Sequence, residues 1–216
     1  MNWKKLKTMK KNEWFKHLIL YGIGIFIIPL GAVLTVNAHL GAGGYDALNF
    51  AIADRMGLPV SYAVSFTAFI VLSVTAFMRR SYPRVETFVT SYLQGLSTDF
   101  WKEIVEGIQG TEFIDSLIIL VVGLLVIGVG AGCYMNSIFP TNAVDDLVLA
   151  MREKKVSISI SKTCTDGLYV VLAFLVGGEI GVGTIICTFA LAPIIDVFHK
   201  SVSSFIKKFE RKAVHA

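Results

Sequence analysis

Apolar residues fill this chain in stretches of about twenty, each long enough to cross a hydrocarbon core of roughly 30 Å as a helix. Polar residues are held to the intervals between those stretches and to narrow stripes within them. The pattern predicts an all-α polytopic membrane protein with six transmembrane helices, over residues 15–37, 60–79, 85–106, 114–138, 157–177 and 182–205. Two further segments, 45–55 and 144–153, are helical in pattern but too short to cross. Each is expected to re-enter the membrane or lie at its interface.

The pattern also repeats. Residues 18–53 align without a gap on 117–152, placing Gly24 on Gly123, Gly31 on Gly130, Asn37 on Asn136 and Asp46 on Asp145. Apolar matches are common in such a chain, but an Asn and an Asp nine residues apart in both copies are not. After a slip of two residues around 79–82, Thr87 falls on Thr184 and Asp99 on Asp196. The expected organisation is a basic interfacial segment at 1–16, a three-span repeat at 17–107, a second at 114–205 and a basic tail at 206–216. Three spans per copy make the second copy enter from the opposite side, giving a 3+3 inverted repeat whose site is expected near the midplane, at the short helices. The stretch 18–36 has a lysine-rich prelude and a Val36-x-Ala38 resembling a signal-peptide cleavage site, but its partner 117–135 is internal, so both are read as retained spans.

Composition and charge refine this picture. Hydrophobic residues make up 54% of the chain and the mean hydropathy is +0.65. Lys4, Lys5, Lys7, Lys10, Lys11 and Lys16, then Arg79, Arg80 and Arg84, then Arg152, Lys154 and Lys155, then Lys207, Lys208, Arg211 and Lys212 all fall on one face. The other face carries Arg55 and Lys102 beside four acidic residues, so both termini are expected in the cytoplasm. The basic ends are expected to meet anionic lipids rather than nucleic acid.

Ionisable and hydrogen-bonding groups inside spans are costly unless they face a cavity or a partner, and they nominate the site. Asp46 and Asp145 open the two short helices, behind the helix-breaking Gly41-Ala42-Gly43-Gly44 and Pro140-Thr141-Asn142-Ala143. They are candidate ligands or proton carriers, with simple helix capping as the structural alternative. Gly43, Gly44 and Asn142 at the helix starts, and the repeated Asn37 and Asn136, complete the central set. Lys162 and Asp166 lie one turn apart within a span and fit either a buried ion pair or a structural clamp. Thr87, Ser91, Gln94 and Thr98 follow steps of four, three and four along one helical face, as a seam between helices or a cavity lining. Asp146 ranks lower because Ala47 stands at its repeat position, and Asp99 and Asp196 fit solvated interface residues.

No metal-ligand spacing, hydrolase triad or phosphate-binding loop is found. The Gly128-x-Gly130-x-Gly132 string lies within a span with no preceding strand, so close helix packing explains it. Cys133, Cys164 and Cys187 read as reduced core residues. No cofactor, metal or catalytic residue is expected, and the chain is not expected to be an enzyme.

Asn37-Ala38-His39-Leu40-Gly41, Gly43-Gly44-Tyr45-Asp46 and Gly181-Val182-Gly183-Thr184-Ile185 resemble motifs of the bacterial YitT/YczE-like multi-pass membrane proteins, over about residues 18–205. The Gly-x-Gly-Thr element is replaced in the first copy by Arg84-Val85-Glu86-Thr87. The resemblance implies a bacterial cytoplasmic (plasma) membrane location and brings no activity or functional residue with it. The functional expectation is therefore a small transporter or channel for a small polar or ionic solute, with its site between the repeats. A substrate-binding membrane subunit of an importer and an accessory membrane protein supporting an enzyme complex share the same sequence features. A homodimer or a partner membrane protein is compatible with all three.

Overall fold

The computed structural model describes residues 11–214, with side chains from Glu13 to Lys208 apart from 158 and 159. Most of the expected N-terminal basic segment, and the side chains of the C-terminal basic tail from 209 onward, lie outside the described residues. The described chain is all-helical: α1 (Lys11–Asn37), α2 (Gly44–Met56), α3 (Val60–Arg79), α4 (Val85–Ile104), α5 (Phe113–Met135), α6 (Ala143–Glu153), α7 (Ile158–Val176) and α8 (Val182–Val214). The two short helices stand where the pattern puts them. The last helix runs nine residues beyond the expected end at 205, passing through Pro193 without a break.

Among the described residues four helical stretches are long and apolar enough to cross a membrane: Glu13–Asn37, Val60–Arg79, Phe113–Met135 and Val182–Lys208. The other two expected spans, α4 and α7, are helices of 20 and 19 residues but are not among these four. α4 carries Glu86, Asp99, Lys102 and Glu103 along with its hydroxyl stripe. Around the bundle, large apolar side chains such as Phe66, Phe69 and Phe77 on α3 and Leu175 and Phe189 on α7 and α8 point outward and exposed. In water such a surface would be an aggregation liability, whereas a bilayer covers it. This is a membrane protein.

Packing explains where the glycines are. The most extensive contact in the bundle is between α1 and α5. A Cβ on Gly31 would lie 2.7 Å from the Ile127 backbone nitrogen, and one on Gly123 would lie 2.9 Å from the Gly31 carbonyl oxygen. Further along, a Cβ on Gly24 would meet the Gly130 carbonyl at 2.9 Å. Position rises along one helix as it falls along the other, so the two run antiparallel with backbones in contact, as small residues permit in membranes. Each short helix packs across the bundle, α2 against α7 and α6 against α3. One apolar cluster joins α1, α2 and α3 through Val33, Phe50, Ala53 and Val64, and another joins α2, α3, α6 and α7 through Leu48, Ala68, Ala143 and Ala173.

Several polar residues turn out to be structural. Asp99, expected at a solvated interface, caps α3: its carboxylate accepts the Val60 amide at 2.6 Å and the Ser61 amide at 3.1 Å. Of the cysteines expected in the core, Cys187 is buried, Cys133 is intermediate and Cys164 is exposed on α7, where the bundle presents an apolar outer surface.

Candidate functional site

All eight helices contribute to one cavity of about 200 Å³, lined by residues of both copies. Its position follows from the short helices, whose amino ends face it. Gly43 and Gly44 at the start of α2 and Asn142 at the start of α6 are all in its wall. Glycine is needed at position 44 because a Cβ there would come within 2.8 Å of the Val170 backbone nitrogen on α7. On α6 the Asn142 side chain caps the helix by accepting the Asp145 amide at 2.8 Å. The Asn142 amide is itself taken up by the Tyr134 hydroxyl and the Ala143 amide by Ser91 Oγ.

Asp46 and Asp145 therefore do not cap their helices. The capping positions are Gly43, which supplies no side-chain bond, and Asn142. Both carboxylates line the cavity, and neither makes a hydrogen bond or ion pair with a described residue. Both lie within Coulombic reach of Lys162 and Asp166, which also line the cavity and pair with each other at 3.2 Å. The cavity thus collects three carboxylates and one ammonium. Lys162 and Asp166 are a partly exposed i,i+4 pair facing this space.

The polar stripe on α4 divides its work. Ser91 is buried and bonds the start of α6, while Gln94 accepts from the Asn142 side chain at 3.2 Å through Oε1. The Gln94 Nε2 donor is buried without a partner, and Gln94 and Thr98 face the cavity. Thr87 is buried and lies outside the cavity wall. Asn37 and Asn136 also lie outside it. Asn37 Nδ2 donates to the Val105 carbonyl at 3.0 Å, and Asn136 Nδ2 donates to the Gly132 carbonyl at 2.8 Å and reaches His199. The position matching Asp166 in the first copy, Thr67, donates to Asn49 Oδ1 at 2.8 Å.

Three features escaped the sequence reading. Tyr45 and Tyr134 line the cavity, and Cys187 enters it from α8. Their signal was weak because aromatics and cysteines are common in the interior of spans. The third is an ion cluster. Asp146, 1% exposed, is held by Arg79 Nη1 at 2.6 Å and Arg84 Nη1 at 2.9 Å, and Arg79 Nε also donates to Glu153 at 2.8 Å. The hydrogen bond from Arg79 holds the Glu153 carboxyl below the usual carboxylate range. Its stabilising contribution is therefore present above the ordinary glutamate range and is lost as pH falls through the depressed value. Among the described residues no three His, Cys, Asp or Glu side chains lie close enough to hold a metal ion.

Residues 15–200 match a family of unknown function, DUF6198. The chain is similar to the uncharacterized protein YyaS of Bacillus subtilis (strain 168), 31% identical over 194 residues that cover 88% of this chain and 96% of that one. It is also similar to the uncharacterized membrane protein YczE of the same organism, 24% identical over 178 residues and 82% of each chain. An uncharacterized protein of Haemophilus influenzae is 19% identical over 90% of this chain and 93% of its own. The resemblance to YczE-like proteins carried by the glycine motifs is thus borne out across most of the length. No solved structure matches.

Proposed function

Since the chain belongs to the DUF6198 family of unknown function, we propose from its own geometry that it passes a small polar or ionic solute across the membrane through the cavity. The observation that carries this reading is the pair Asp46 and Asp145, two carboxylates from opposite copies that face one cavity and make no hydrogen bond or ion pair with a described residue. Unpartnered carboxylates at membrane depth are expensive, and an incoming cation, ammonium group or proton offsets that cost. With three carboxylates against one ammonium, the balance favours a solute that carries positive charge.

In this reading α4 and α7 also cross, making six spans in a 3+3 inverted arrangement. The exchanged contacts support it. Gly24 with Gly130 and Gly31 with Gly123 are the same pair of repeat positions used twice, in opposite directions. The crossed packing of α2 on α7 and α6 on α3 obeys the same exchange. A pseudo-two-fold axis in the membrane plane produces both patterns.

The test is a thermal-shift screen of detergent-purified protein against cations, amines and zwitterions over a range of pH, followed by flux of any hit into liposomes. A ligand at about 100 times its Kd adds about 2.7 kcal/mol to the folded state. Wild type is expected to show both the shift and the flux, and Asp46→Asn with Asp145→Asn to lose both while folding normally. Unchanged flux in the double variant removes these aspartates from the mechanism.

Sidedness has a separate expected outcome. In a background with the three cysteines changed to serine, Glu112→Cys should react with an impermeant thiol reagent from outside intact cells and Lys154→Cys should not. Both positions are exposed. Gly110 is a poorer probe than its loop position suggests, because a Cβ there would lie 2.9 Å from the Ala38 carbonyl oxygen. The reverse labelling would place the basic face outside.

A further inference from the structure

The wall of the cavity is charged where some helices line it and aliphatic where others do. Its charged side chains come from α7, which supplies Lys162 and Asp166, and from the first turns of α2 and α6, which supply Asp46 and Asp145. Aliphatic side chains reach it from α1, α5 and α8: Ile28 and Ala32, their repeat equivalents Ile127 and Ala131, and Leu191 and Ile195. α7 packs on α2 and α6, whereas α1 packs on α5 and α5 on α8. The two kinds of wall are thus carried by different groups of helices.

The repeat shows that the aliphatic part on α8 is not what both copies share. α4 and α8 start at Val85 and Val182 and open with the same turn, the Thr87 amide on the Arg84 carbonyl at 3.0 Å and the Thr184 amide on the Gly181 carbonyl at 3.1 Å. In that register Gln94 falls on Leu191 and Thr98 on Ile195, and all four line the cavity. The second copy therefore puts hydrocarbon where the first puts hydrogen-bonding groups, while both keep the aspartate. A bare ion gains nothing from that exchange, since it needs oxygens in place of its hydration shell.

Ligand number and volume agree. Calcium and magnesium take about six to eight oxygens at roughly 2.0–2.6 Å, and among the described residues no three acidic, His or Cys side chains converge closely enough to hold a metal ion. Lys162 pairs with Asp166 at 3.2 Å, which leaves Asp46 and Asp145 as the carboxylates of the wall that make no hydrogen bond or ion pair with a described residue. The cavity, about 200 Å³, is over ten times the roughly 15 Å³ that admits one water. We propose that it takes a small organic cation, an ammonium group carrying a short aliphatic chain, with the charge at Asp46 and Asp145 and the chain against Leu191 and Ile195. This rests on the solute-passing reading in taking the cavity as the solute's site, but its test reads binding alone.

The probes are methyl-, ethyl-, propyl- and butylammonium chloride, with potassium chloride and 1-butanol for comparison, titrated at fixed ionic strength against the thermal unfolding of detergent-purified full-length protein. Affinity is expected to rise about fourfold with each methylene, the equivalent of about 0.8 kcal/mol per buried CH₂. Potassium, which lacks the chain, and butanol, which lacks the charge, should give far smaller shifts. Asp46→Asn with Asp145→Asn should abolish the response to every amine, which also separates it from partitioning into detergent. Ile195→Thr, a change of similar size that copies position 98, should weaken butylammonium more than methylammonium, and it keeps the test open if the double variant folds poorly. A series that is flat, matched by potassium or retained by the double variant overturns the proposal, and an undiminished step in Ile195→Thr removes the chain from α8. Amine binding without amine flux into liposomes would keep this site and sink the transport reading. Flux of an inorganic cation that the double variant loses, without amine binding, would do the opposite.

Discussion

Gly31→Val will remove most of the folded protein from detergent extracts, whereas Gly22→Val, nine residues earlier on the same helix, will be recovered almost as well as wild type. At Gly31 the added carbon would stand 2.6 Å from Ile127 Cγ1 and 2.7 Å from its backbone nitrogen, while at Gly22 nothing lies within 4 Å. A flexible side-chain tip can swing away, but a helix backbone cannot, so α1 and α5 would have to part along their whole contact. Overpacking a core position costs about 1–3 kcal/mol and occasionally more. Here the obstacle is backbone, which places the expected loss at or above about 3 kcal/mol on that scale. Gly22→Val carries only the small helix-propensity difference of an exposed site. Gly123→Val should reproduce the Gly31 result, since its Cβ would meet the Gly31 carbonyl at 2.9 Å and Thr35 Cγ2 at the same distance. Thermal unfolding of the four proteins side by side settles it. Equal melting of Gly31→Val and Gly22→Val would mean that α1 and α5 do not pack through these glycines.

The fold was legible because two kinds of periodicity agreed. Long apolar stretches placed the helices to within a few residues, and the gapless repeat separated the short helices from the long ones at matching positions. The end of α8 was missed because the sequence after Phe205 stops being apolar without ceasing to form helix. Membrane length ends a span, but only backbone chemistry ends a helix.

The site was legible in part, for an instructive reason. Identity between copies points to whatever both halves need, which is first of all the fold. Asn37 and Asn136, the most arresting matched pair after the aspartates, bond carbonyls at helix ends away from the cavity. Asp46 and Asp145 are matched and do face the cavity, because the bundle brings the two short helices together there. The ion cluster was undervalued by the same logic, since Asp146 has only Ala47 opposite it in the alignment. The run Arg79, Arg80 and Arg84, set against Asp146 and Glu153, is the signal that the sequence offered. Reading it required knowing that positions 79 and 146 touch.

The contact between Arg79 and Asp146 yields the second large effect. Arg79→Gly alone leaves Asp146 buried with only Arg84 to compensate it, and removing one partner of a buried ion pair costs about 3–5 kcal/mol. Arg84 is one reason to expect the lower end, as it keeps its own bond to Asp146 at 2.9 Å. Asp146→Ala alone should cost less, because Arg79 retains Glu153 at 2.8 Å. The double variant Arg79→Gly, Asp146→Ala removes both buried charges together and leaves the more exposed Arg84 and Glu153, which lie 4.0 Å apart. Position 79 is the last residue of α3, where a glycine costs less than in a helix interior. The double variant should therefore be more stable than Arg79→Gly by about 1–3 kcal/mol, a coupling of the size seen between residues in direct contact. Unfolding of the four species in one detergent measures this directly. Additive losses would show that the two residues stabilise the protein independently, and that the cluster does not hold α6 against α3. A rescued double variant would show that the buried guanidinium and carboxylate stabilise the bundle chiefly by neutralising each other.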